Sequence, residues 1–80
     1  MSKTIHRDEY DVLIEMIRKM RIRSGLKQSE LSEALGRPQS FISNLERKLV
    51  RIDVLQLRDI CKACDRSFSG FCKEFDKSLE

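Results

Sequence analysis

Residues 26–46 read LKQSELSEALGRPQSFISNLE, and the fold turns on this stretch. Its apolar residues recur at three- and four-residue steps, the period of a helix with one buried stripe. Two short helices are therefore expected, over 28–35 and 38–47, joined at Gly36-Arg37-Pro38. The first buries Leu31, Ala34 and Leu35; the second buries Ile42 and Leu45. Gly36 suits the left-handed residue that closes a helix, and Pro38 the first position of the next, where its missing N–H costs nothing. The outward side of the second helix carries Gln39, Ser40, Ser43 and Asn44. These short uncharged groups both donate and accept hydrogen bonds. A helix that reads base edges in a DNA groove needs such a face; an ordinary solvated helix does not.

Working outward, Tyr10, Leu13, Ile17 and Met20 mark a preceding helix over about 7–23, ended by Ser24-Gly25. After the central pair, Asp53 with Gln56 reads as a capping box for a helix to about Cys64 that buries Leu57, Ile60, Cys61 and Cys64. A fifth helix, 67–75, presents Phe68, Phe71 and Phe75. No segment alternates with the two-residue period of a strand. The expected fold is all-α with five helices: one domain over 7–76, with 1–6 and 77–80 as flexible termini.

Composition narrows the class. Eighty residues, 40% of them hydrophobic, make one small domain. No run approaches the roughly 20 apolar residues of a membrane span, and the N-terminus lacks the apolar region of a signal peptide. A cytoplasmic protein, associated with the nucleoid through DNA, is expected. The net charge is only +3, yet residues 16–51 hold nine Lys/Arg against three acids. A basic centre between acidic flanks fits one face that meets a polyanion.

In order and spacing, Met20-Arg21, Gly25-Leu26, Gln28, Glu30-Leu31, Gly36, residues 40–43 and Leu45-Glu46 resemble the lambda-repressor-like helix-turn-helix domains of XRE or Cro type. The resemblance covers roughly 17–68. It implies that 38–47 is the recognition helix, that Arg21 pairs with Glu46, and that Gln28 opens the second helix beside DNA phosphate. Bottom-up, a partly buried Arg21–Glu46 pair would fix the angle between two helices. Base readout would rest on Gln39, Ser40, Ser43 and Asn44, because Gln and Asn bond adenine through N6 and N7 together. Phosphate partners would be Lys27, Gln28, Arg37, Arg47, Lys48 and Arg51, which set register without reading sequence. Lys27 replaces the usual cap residue. Lys48 stands where many relatives have Gly, which leaves the path of 48–52 open. Phe41 either covers a thymine methyl group or packs inward or against its own turn.

Two features point elsewhere. Cys61, Cys64 and Cys72 suggest zinc or redox chemistry, yet structural zinc takes four ligands and the only His is His6. Cys61 and Cys64 fall on an inward face and read as core. His6 lies beside Asp8, Glu9 and Asp11, but no nucleophile, phosphate-binding glycine loop or constrained carboxylate pair accompanies it. No enzyme, metal or cofactor is expected.

The reading is a sequence-specific DNA-binding regulator, in the first place a repressor, that binds a double-stranded operator as a homodimer. Phe71 and Phe75 are the expected dimer surface, with Phe68 in the core. Within the same class stand an antitoxin, with a toxin as partner, and a restriction–modification controller; RNA polymerase is a further partner for such a regulator. From a different class stands a protein-binding adaptor that kept the fold.

Overall fold

The computed structural model describes the backbone of residues 2–80 and the side chains of residues 9–80. Five helices follow in order: α1 (Ser2–Arg23), α2 (Gln28–Ala34), α3 (Phe41–Glu46), α4 (Val54–Ala63) and α5 (Phe68–Ser78). The side chains of His6 and Asp8 lie outside the described residues. Among the described residues there is no strand. The helices pack as a closed ring: α1 on α3, α3 on α2, α2 on α4, α4 on α5, and α5 back on α1. Inside it sit Ile14, Ile17, Met20, Leu31, Ile42, Leu45, Ile60, Cys61, Cys64 and Phe71.

Local chemistry sets the boundaries. Asp53 and Gln56 form the full capping box of α4: Gln56 N–H donates to Asp53 Oδ1 at 2.8 Å, and Asp53 N–H to Gln56 Oε1 at 3.1 Å. Ser67 Oγ accepts from Gly70 N–H at 3.1 Å and starts α5. Four helices close alike, with a left-handed residue whose successor's N–H reaches back over a full turn. Those bonds run from Leu26 to Arg21, Arg37 to Ser32, Leu49 to Asn44 and Arg66 to Cys61. Gly36 takes φ 68°, as its place in the sequence requires. Lys48 takes φ 64°, so the chain leaves α3 along the path a glycine would follow. A residue with a Cβ gives up roughly 1–2 kcal/mol in that region.

Several expectations from the sequence need correction. Helical backbone begins at Ser2, ahead of residue 7, and α5 runs to Ser78. The central helix starts at Phe41, not Pro38, because Phe41 N–H closes a tight turn onto Pro38 O at 2.9 Å. On α2, Ala34 is exposed and Ser32 is buried instead. At 100° per residue, Gln28, Leu31, Ser32 and Leu35 share one face and Ala34 falls on its flank. The largest correction concerns α5. Phe71 is 1% exposed and belongs to the core, so it cannot be a dimer contact, while Phe68 and Phe75 are half-buried. The cause is that α5 packs on both α1 and α4, which places the middle of its aromatic stripe between them.

Candidate nucleic-acid interface

The site is built on the junction of α1, α2 and α3. Arg21, near the end of α1, donates through Nε to Glu46 Oε2 at 2.7 Å and through Nη2 to Oε1 at 3.1 Å. Its Nη1 donates to Leu26 O at 2.8 Å, in the turn before α2. Gln28 Nε2, at the start of α2, donates to Glu46 Oε1 at 2.9 Å. The two charged side chains are only 11% and 5% exposed. Three helices thus meet on one carboxylate at the last residue of α3, in the bidentate geometry that Arg offers and Lys does not.

A second anchor was not foreseen. Ser32 is fully buried, and its Oγ accepts from Ile42 N–H at 3.0 Å. That N–H lies in the first turn of α3, where helices have no internal partner. Ser40, the residue before α3, makes no side-chain cap. A serine of α2 therefore does the capping across the turn. The sequence offered only a lone hydroxyl next to Leu31, at a position outside the assigned stripe of Leu31, Ala34 and Leu35. Between the two anchors, α3 has little freedom to rotate against α2.

On the opposite side from Ile42 and Leu45 lie the four candidate readers. Gln39 and Ser40 are exposed on the turn that leads into α3, and Ser43 and Asn44 are partly exposed on the helix. Phe41 beside them is half-buried against the core, and the Arg37 guanidinium stacks on its ring at 4.6 Å from the centroid. Arg37 and Arg47 are exposed at either end of α3. Lys48 and Arg51 turn back towards α1 instead. Lys48 Nζ lies 3.0 Å from Asp11 Oδ1, and Arg51 stacks on Tyr10 at 4.5 Å. The Tyr10 hydroxyl in turn donates to Val50 O at 2.8 Å, and burial raises its pKa. Tyr10 and Asp11 are thus part of the site's support, which their place on an apolar stripe and in an acidic flank did not reveal. An exposed pair such as Lys48–Asp11 contributes about 0–1 kcal/mol.

The helix-turn-helix family profile matches residues 17–71, more than half of the chain. A solved structure, an XRE-family like protein from Pseudomonas syringae pv. tomato str. DC3000, is similar over 99% of this chain and 96% of that one, at 32% identity and a TM-score of 0.91. The chain belongs to the XRE-type helix-turn-helix family. No relative is found among curated proteins. XRE-type domains are DNA-binding regulators and generally not enzymes, and the two helices of the motif are α2 and α3 in this chain.

Within this XRE-type frame, Lys27 is the N-cap of α2 but supplies only half of a capping box. Its N–H donates to Glu30 Oε1 at 2.8 Å, while an ammonium has no lone pair for the helix N–H groups. Lys27→Thr is expected to add the missing half and raise stability by about 0.5–2 kcal/mol. It is also expected to weaken DNA binding by removing a cation. Thermal melts and DNA titrations check both, and an unchanged melting temperature with unchanged affinity contradicts the trade. The cysteines sit away from this face. Cys61 and Cys64 are buried, and burial pushes the Cys61 thiol up to about 11, against thiolate chemistry at neutral pH. Among the described residues, no group of three or more His, Cys, Asp or Glu is placed to hold a metal, and no helix is long and apolar enough to cross a membrane.

Proposed function

We propose that the protein is a sequence-specific transcriptional regulator of bacterial or phage type, acting chiefly as a repressor. It reads the major groove with the face of Gln39, Ser40, Ser43 and Asn44, and two copies sit on a pseudo-palindromic operator. The observation that carries this reading is a polar donor–acceptor face on a helix immobilised at both ends, by Ser32 at its start and by Arg21 and Gln28 at its finish. A rigid reader is what base discrimination requires, because each bidentate contact separates right from wrong base by about 1–3 kcal/mol only at the correct geometry. Lys27, Arg37, Arg47, Lys48 and Arg51 then hold phosphates and fix the register. For Gln28 one amide N–H is held by Glu46, and the second is left for a phosphate. Occupancy of the operator blocks polymerase.

The test is a salt series on bound duplex. Log affinity is expected to fall linearly with log salt, with each engaged cation adding about 0.9 to the slope. Arg37→Ala and Arg47→Ala should each flatten the slope by about that amount and leave the preferred sequence unchanged. Binding that ignores salt contradicts DNA as the partner and favours the protein-binding adaptor.

A further inference from the structure

Among the described residues three guanidiniums lie on aromatic rings, and two of these flank α3. Arg37, in the turn before α3, stacks on Phe41 at 4.6 Å, and Arg51, in the turn after it, stacks on Tyr10 at 4.5 Å. The third, Arg66, lies 5.7 Å from the Phe71 centroid and also pairs with Glu74 at 2.7 Å. The two beside α3 take part in no ion pair among the described residues, although Asp59 lines the same cleft as Arg37 and Phe41. Both rings are fixed from below. Phe41 and Tyr10 are half-buried against the core, and the Tyr10 hydroxyl is tied to Val50 O.

We propose that Phe41 and Tyr10 are positioning residues that hold Arg37 and Arg51 ready for the DNA backbone. The inference rests on the reading of these two arginines as phosphate partners. A carboxylate and a ring restrain a guanidinium differently. A carboxylate takes the N–H groups along its edge and cancels its charge, so a phosphate must displace it. A ring takes only the flat face and carries no net charge. The in-plane N–H donors stay open, and the full positive charge faces the duplex. The side chain has also given up part of its rotamer freedom before DNA arrives, so less is lost on binding. The platforms belong to the same packed body as the readers: Phe41 is the first residue of α3, and Tyr10 lies on α1. Arg47 and Lys48 have no such ring, and Lys48 pairs with Asp11 instead.

The stack is read first without DNA. The Phe41 ring current should move the Arg37 side-chain proton NMR signals upfield in the wild type and in Phe41→Tyr. It should not do so in Phe41→Leu, which keeps an apolar side chain without a ring. Duplex titrations follow. Phe41→Leu should weaken binding about two- to fivefold, the range of an exposed cation–ring contact. The slope on salt should stay as it was, since no cation is removed. Phe41→Tyr should bind as the wild type does. The decisive comparison is a double-mutant cycle. In an Arg37→Ala background Phe41→Leu should cost nothing further, whereas in an Arg47→Ala background it should cost its full amount. Tyr10→Leu should be coupled to Arg51 in the same way, and Tyr10→Phe, which keeps the ring, should retain binding. A Phe41→Leu loss of equal size with and without Arg37 would make the ring a purely structural residue and overturn the proposal, as would the absence of the ring-current shift. If Arg37→Ala weakens binding and Phe41→Leu does not, positioning fails while the phosphate reading stands. If the shift is present and neither substitution alters duplex binding, the phosphate reading of Arg37 fails and positioning falls with it.

Discussion

Replacing Glu46 with Ala lowers the stability of the domain by about 3–5 kcal/mol. The reason is what the substitution leaves behind. Arg21 is 11% exposed, so its guanidinium remains as a largely buried charge without a counter-ion, and Gln28 loses its acceptor. Breaking one side of a buried pair carries that cost, whereas removing both sides together often carries little. Arg21→Met combined with Glu46→Leu should therefore fold more stably than Glu46→Ala alone. For a domain of this size each kcal/mol moves Tm by roughly 4–8 °C, so the single variant should melt at least roughly 12 °C lower. A cost below about 1 kcal/mol, the range of exposed pairs, would mean that the pair does not lock α3.

Phe71→Ala has an effect of the same size and tests the correction made to α5. A fully buried aromatic ring leaves a cavity when truncated, at about 3–5 kcal/mol. Phe71 is 1% exposed and closes the core between α1 and α4. Phe75, one turn further on, is half-buried, and Phe75→Ala should cost about 1 kcal/mol. Urea denaturation of the two variants at fixed protein concentration measures both, with an unchanged slope showing that the native state stays compact. The reverse order, or a Phe71→Ala effect that shrinks as the protein is diluted, would return Phe71 to an interface.

The fold was legible because its signals are local and agree with one another. The stripes of α1 to α5, the Gly36 turn and the Asp53–Gln56 box each follow from spacing within one or two helical turns. So was the Arg21–Glu46 pair, though through the family pattern; no spacing rule places residues so far apart in the chain in contact. What the sequence hid is three-dimensional. Ser32 reads as a surface serine until α3 is laid against it, and Ala34 reads as core until the helix phase is set by Leu31 and Leu35. Phe68, Phe71 and Phe75 are equivalent on a helical wheel, and only the two-sided packing of α5 chooses Phe71 for the interior. Lys48 and Arg51 follow α3 in sequence, yet Asp11 and Tyr10 draw them towards α1.

The most direct test of the account is selection of bound duplexes from a random pool, carried out with the wild type and with Gln39→Ala and Asn44→Ala. The wild type should recover one pseudo-palindromic sequence. Each variant should lose preference at its own base positions, by about 5-fold to 150-fold for a bidentate contact, while salt-sensitive binding to any duplex persists. If both variants recover the same sequence with the same preference as the wild type, the face of residues 39–44 does not read DNA.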